Sequence, residues 1–329
     1  MPRLLPLIVL ALLGAGGYYF FTHYKLEGLE GFKLKPLKVA AGPGGGSETP
    51  APPVGTGNRK TIRIAGANLG PLDQQKLGNR EVLTRIGEII RDFDAVAVQG
   101  IWGHNQGIVL DLLEQFNQGG RNYDFAISAR VGREPVKKYS AFFFDRSVLE
   151  VDRGTVFEVD DPGQVFLNKP LVAAFRVRGP NPQEAFTFTL VNVEIDPTQV
   201  ELELNLLADV FRAVRDDGRG EDDVLLVGSF NTAPQNLGSL LRIPHIMWTI
   251  ADQPTTILGN SAVDNILFDS RATVEFVGRS GAMNLMNRFD LPVRQVSQVS
   301  DHLPVWAEFS IFEGGQVGRI AGAPSDSPR

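Results

Sequence analysis

The sequence predicts an α/β fold of two packed mixed β-sheets with helices outside, spanning Thr61 to Phe312. Short apolar runs bounded by turn residues are more numerous than segments with helical periodicity. Several of those runs follow one another with no helix between them, which a simple doubly wound sheet does not allow. A hydrophobic content of 43% in 329 residues supplies a sizeable core.

The elements follow in chain order. Arg3 precedes an uncharged run from Leu4 to Phe21, with His23, Tyr24 and Lys25 after it. At about 1.5 Å per residue this run just spans a hydrocarbon core, and Tyr18 to Phe21 with Tyr24 suit an interfacial belt. Residues 1–25 are therefore expected to be a transmembrane anchor, with the body outside the cytoplasm, periplasmic or at the cell surface. The competing expectation is a cleaved signal segment and a secreted protein, since Gly14-Ala15-Gly16 offers a small-residue cleavage site. Residues 26–60, rich in Gly and Pro, read as a linker, and 313–329 as a disordered tail.

Between them, apolar runs mark strands at TIRIAG, DAVAVQG, YDFAISA, YSAFFFD, PLVAAFRV, AFTFTLVNVE, DDVLLVGSF, AVDNILFD, ATVEFVG and LPVWAEF. Helices are predicted over Asn79–Phe93, Asn105–Gln118 and Pro197–Asp216. The last carries Leu204, Leu207, Val210, Phe211 and Val214 as one stripe, with Pro197 in its first turn.

Composition bounds the function. The absence of cysteine removes disulfides, thiol nucleophiles, thiolate metal sites and a lipoprotein anchor. A net charge of −6 argues against a high-affinity nucleic-acid binder, which usually presents a basic face.

Polar residues collect at strand ends: Asn68, Gln99, Gly100, Asn192, Glu194, Ser229, Asn231, Asp264, Asp301 and His302. Taken singly, each has a plain structural reading. Asn68 and Asn231 are turn formers more often than ligands, Asp264 alone reads as a structural hydrogen-bonding residue, and a lone histidine is commonly a satisfied core or rim residue.

Their order is more specific. SDHLPV before an apolar strand, GSFNTAP after a buried one, AVDNILF and GANLG together resemble the endonuclease/exonuclease/phosphatase superfamily, the DNase-I-like hydrolases. The resemblance covers the whole span from Thr61 to Phe312 and implies a four-layer α/β sandwich. It also implies phosphoester hydrolysis with a divalent cation held by oxygen ligands, Mg²⁺ or Mn²⁺, and a base oriented by an acid.

Carried over by position, Asn68, Asn231, Asp264, Asp301 and His302 are retained, the adjacent Asp301 and His302 standing as the oriented base. The metal Glu is replaced by Gly100, the Asp of Gly-Asp-Phe-Asn by Ser229, and the phosphate-binding His by Glu194. The Glu that steadies that His falls at Lys137 or Lys138, and a phosphate-contacting Arg is absent where Asn168 and Lys169 stand.

Removing one preorganised electrostatic group costs about two to three orders of magnitude in rate. These departures therefore imply a hydrolase-like pseudoenzyme, tethered to a membrane and serving as a binding or scaffold module with no cofactor. An unknown protein or a phosphate-containing ligand would be its partner. The competing reading is an active metal-dependent phosphoester hydrolase, in which Glu194, Asp264 and Asp301 gather the cation and His302 is the base. Opposite charges at Lys137 or Lys138 and Glu194 imply a compensated pair.

Overall fold

Two parallel strand pairs set the architecture. The computed structural model describes residues 59–130, 138–260 and 262–315, with the backbone of a two-residue strand, β1 (Lys35–Pro36), which lies within the expected linker. The expected anchor, the rest of that linker before Arg59, Lys137 and the tail beyond Gly315 lie outside the described residues. Among the described residues no helix is long and apolar enough to cross a membrane.

The first parallel pair is β2 (Thr61–Leu72) with β3 (Ala95–Ile101), joined through α1 (Gln74–Gly78) and α2 (Arg80–Ile90). Helix α3 (Gly107–Phe116) follows, then β4 (Tyr123–Ile127), β5 (Tyr139–Asp145), β6 (Leu149–Glu158) and β7 (Leu171–Val177). The second parallel pair is β8 (Thr187–Glu194) with β9 (Val224–Ser229), joined by α4 (Val200–Arg215). Strands β10 (Ile246–Trp248), β11 (Asp264–Asp269), β12 (Phe276–Ala282) and β13 (Val305–Ser310) complete the fold, with the short helices α5 (Leu285–Phe289) and α6 (Val293–Val296) between the last two.

One sheet runs β1-β6-β7-β8-β9-β11-β10, the other β12-β13-β2-β3-β5-β4. Among the described residues, every strand contact besides the two parallel pairs is antiparallel. This is the predicted pair of packed mixed sheets. Each parallel pair is crossed over by helix, so the C-terminal ends of β2, β3, β8 and β9 emerge at one end of the sandwich, where ligand sites of α/β sheets form.

The sequence explains the elements. Strands β3, β5 and β9 are buried along their whole length, as uninterrupted apolar runs require. In α2, Asn79 accepts from Val82 N at 3.3 Å, and Val82, Ile86, Ile89 and Ile90 face inward at helical spacing. Helix α4 carries Glu201 and Glu203 in its first turn and Arg212 and Arg215 in its last, matching the helix dipole. It starts at Val200, after a turn that holds Pro197.

Phenylalanines fill the space between the sheets. Phe142 and Phe144 meet Phe175 edge-on at 5.7 and 5.4 Å, and Phe175 stacks on Phe188 at 5.6 Å. Strand β6 has no apolar signature because Glu150, Asp152, Arg153 and Gly154 interrupt it. The strand expected over ATVEFVG begins instead at Phe276, and Glu275 before it is turned into the interior.

Candidate functional site

Three residues form a row across the open end of the seven-stranded sheet. Ser229 closes β9 and is the Cα partner of both Glu194 on β8 and Asp264 on β11. Directly opposed residues point to the same face, so all three side chains look toward the other sheet. Gly228 makes this arrangement possible. Its φ is +141°, and a Cβ there would lie 2.0 Å from Val193 O.

Each flanking acid has a basic partner. Lys138, just ahead of β5, forms an ion pair with Glu194. Of the two expected lysines, Lys138 faces Glu194, and Lys137 lies outside the described residues. His302 Nδ1 lies 2.8 Å from Asp264 Oδ2. Burial alone would lower the imidazole, but the hydrogen bond and charge of Asp264 override it, and His302 is held above its ordinary value.

The expected Asp301–His302 pair is corrected here. Asp301 is exposed, and its side chain holds neither His302 nor another ligand set. Asp301 stands on an exposed bend, while His302 is part-buried in an isolated bridge with Thr256.

The asparagines keep their structural roles. Asn68 Oδ1 accepts from Gly70 N at 3.2 Å, closing a local turn. Asn231, at φ +51°, donates through Nδ2 to Ile195 O at 2.5 Å. Beneath the row, Gln99 Nε2 donates to Asn192 Oδ1 at 2.8 Å, and Asn192 Nδ2 donates to Val98 O and Ala141 O at 3.2 and 3.1 Å. These two amides bracket the sheets together. Asn168 Nδ2 donates to Glu194 O at 3.1 Å.

Two supports carry no sequence signal. The Thr255 hydroxyl, wholly buried, accepts from Val263 N and Asp264 N at 2.9 and 3.0 Å, while its carbonyl accepts from Leu303 N at 2.6 Å. It therefore sets Asp264 and the His302 segment together. Ser300 Oγ donates to Asn68 O at 2.8 Å and accepts from His302 N at 2.9 Å, tying the end of β2 to the histidine. Both residues lie in loops without periodicity.

No protein-family model matches the chain. Among curated proteins it is similar to deoxyribonuclease gamma of Rattus norvegicus, 27% identical over 266 residues, which cover 74% of this chain and 83% of the relative. Deoxyribonuclease-1-like 2 of Mus musculus is 27% identical over 260 residues, covering 75% and 91%. Two solved structures share the fold. An endonuclease/exonuclease/phosphatase family protein from Bacteroides thetaiotaomicron superposes with a TM-score of 0.51 at 16% identity, covering 76% of this chain and 98% of its own. The human Nocturnin catalytic domain with bound sulfate gives 0.52 at 14%, covering 77% and 95%.

The chain belongs to the endonuclease/exonuclease/phosphatase superfamily.

The cation that this superfamily implies does not fit the residues in the cleft. Gly100 stands at the metal-carboxylate position with φ +74°, and a Cβ there would lie 2.6 Å from Gly70 Cα and 2.9 Å from Gly70 N. Backbone occupies the space a glutamate side chain would need. Glu194 and Asp264 are already committed to Lys138 and His302. Among the described residues, acidic groups close enough to share an ion lie at the other end of β9.

The cleft is left with enclosed oxygens. Gln99 Oε1, Asn168 Oδ1, Glu194 Oε2, Ser229 Oγ and Asp264 Oδ1 all lack hydrogen-bond partners. All five are shut off from solvent, which makes this end of the sandwich a concentration of buried, unsatisfied acceptors.

Proposed function

We propose that this chain is a catalytically impaired member of the superfamily, a binding or scaffold module held to a membrane by residues 1–25, with its folded body outside the cytoplasm. The observation that carries the impaired reading is the crowding at Gly100, where Gly70 Cα lies 2.6 Å from the position of any Cβ. A cation deprived of that carboxylate would have neutral Asn68 and two acids already neutralised by basic partners.

Binding replaces turnover in this reading. The unpartnered atoms are buried hydrogen-bond acceptors, with the Ser229 hydroxyl among them, and a partner's donors would reach them only as the rim of the cleft opens. A lysine or arginine side chain or a run of backbone amides from a partner protein suits them better than a phosphate, whose oxygens also need donors. The tether is supported by the uncharged run from Leu4 to Phe21 and its aromatic edge.

The experiment is a hydrolysis assay on the full chain in detergent, with plasmid DNA and a generic phosphodiester as substrates and Mg²⁺ or Mn²⁺ added. No turnover above that of His302→Ala is expected. Metal-dependent turnover lost in His302→Ala would establish the second reading, an active phosphoester hydrolase. That reading is favoured by one observation, the Asp264–His302 contact at 2.8 Å, and the deoxyribonuclease relatives make DNA its substrate class.

A further inference from the structure

A cavity of about 360 Å³ lies where β2 and β3 begin, at the end of the six-stranded sheet remote from the cleft. Sites for small molecules span about 300–1,000 Å³. Four arginines from separate parts of the chain line it: Arg59 ahead of β2, Arg63 within it, Arg91 at the end of α2 and Arg121 ahead of β4. Arg59 and Arg121 are exposed, so the mouth of the cavity is reached from solvent.

The acids in its wall already have partners. Asp94 forms an ion pair with Arg59 through one carboxylate oxygen, and its other oxygen accepts from Arg63 N at 2.8 Å. Asp145 accepts from the amide and hydroxyl of Ser147 at 2.9 and 2.6 Å, and Asp92 meets Arg288 at 2.8 Å. Burial, which outweighs the pull of Arg59, holds the Asp94 carboxyl above its ordinary value and so reduces its charge. The arginines are less fully engaged. Arg91 Nη1 donates to Gln115 O at 3.0 Å, and Arg63 Nη1 makes one long bond to Asp92 O at 3.4 Å. The Arg63 guanidinium is held by the rings of Trp306 and Phe93 at 4.3 and 5.3 Å, and its enclosed Nε has no hydrogen bond, with Glu308 at 3.6 Å. Arg121 forms no hydrogen bond or ion pair among the described residues. Each guanidinium carries five N–H donors in a fixed fork, so this cavity offers more donors than its own walls accept.

Unused forks on several sides of one cavity suit a tetrahedral phosphate, whose oxygens project in different directions, better than a planar carboxylate, which a single fork fills. We propose that Arg59, Arg63, Arg91 and Arg121 bind the phosphate group of a small phosphomonoester or of a lipid headgroup. The bound group joins the start of β2 to the end of α2 and to the segment before β4. The site does not depend on the reading of the cleft.

The test titrates the full chain in detergent with glycerol phosphate by calorimetry at fixed ionic strength, and a second arm adds phosphatidic acid to the micelles. Heat with glycerol phosphate assigns the cavity to soluble phosphomonoesters, and heat with phosphatidic acid alone assigns it to a lipid headgroup. Arg121→Gln is expected to keep its Tm, because the side chain has no partner to lose. It is expected to weaken binding about tenfold or more, as the loss of one charge-assisted hydrogen bond requires. Arg91→Gln is expected to weaken binding likewise; should it fail to fold, Arg121→Gln decides alone. Malonate, which offers carboxylates instead, is expected to bind far more weakly than glycerol phosphate. The absence of heat with both phosphate compounds would overturn the proposal. Binding unchanged by either substitution would overturn it by placing the phosphate elsewhere. Malonate binding as tight as that of glycerol phosphate would overturn it by making the cavity a general anion site.

Discussion

Lys138 and Glu194 form an ion pair that joins the two sheets at the lip of the cleft, one ahead of β5 and the other at the end of β8. Their side chains are only 14% and 10% exposed. Where the superfamily resemblance places an acid and an imidazole, this chain has a base and an acid, with the contact between the sheets retained. A closed pair of this kind serves cohesion more directly than phosphate binding.

Breaking the pair from one side should therefore be costly. Glu194→Ala leaves an enclosed ammonium and Lys138→Ala an enclosed carboxylate, each expected to lower stability by about 3 kcal/mol. Replacing both, Lys138→Met with Glu194→Leu, is expected to cost less than either single change. Urea unfolding of the three variants checks the order.

At Gly100, even a methyl group meets backbone. Gly100→Ala is expected to lose about 3 kcal/mol through its positive φ and the Gly70 contact. Gly78→Ala, with nothing within 4 Å of the new Cβ, is the control and should leave stability unchanged or slightly raised. Gly100→Glu is expected to be no better than Gly100→Ala and to gain no Mg²⁺ binding in the cleft by calorimetry.

The His302–Asp264 contact has a pH signature. A folded pKa above the unfolded value near 6.5 means the contact stabilises the fold fully below that pH. The contribution disappears as pH rises through the folded value. NMR titration should find His302 above its ordinary value, and Asp264→Asn should bring it down. The same variant should lose stability at pH 5.5 and less of it at pH 8.5.

Ser229 separates two acids with a hydroxyl that bonds nothing. Ser229→Ala is expected to be neutral or to stabilise by up to about 1 kcal/mol, because an unsatisfied buried group is removed. Ser229→Asp would set a third carboxylate between Glu194 and Asp264 on strands about 4.8 Å apart, and a loss of about 2 kcal/mol is expected. Thermal unfolding of the two variants distinguishes these outcomes.

Much of the fold was legible because its strands are buried on both faces. The runs DAVAVQG, YSAFFFD and DDVLLVGSF announce β3, β5 and β9 directly. Strand β6 was not legible, since its polar middle carries no period. In the site, the residues of the row could be named from the sequence, and the partner of Glu194 could be narrowed to two lysines, but the contact between Asp264 and His302 could not. Asp301 is next to His302 in the chain, yet Asp264, brought in by β11, holds the imidazole. That Lys138 reaches Glu194 depends on how the chain enters β5, which no residue type announces. The crowding at Gly100 depends on the irregularity of β2 where it runs beside β3, and Thr255 acts on backbone groups, so no residue pattern announces either.

The contact between Gly70 and Gly100 also bears on the missing metal acid. An acid at position 100 has nowhere to go until the irregular 69–71 stretch of β2 moves. Two neighbouring backbones, and not only the identity of residue 100, therefore decide whether a carboxylate can stand there.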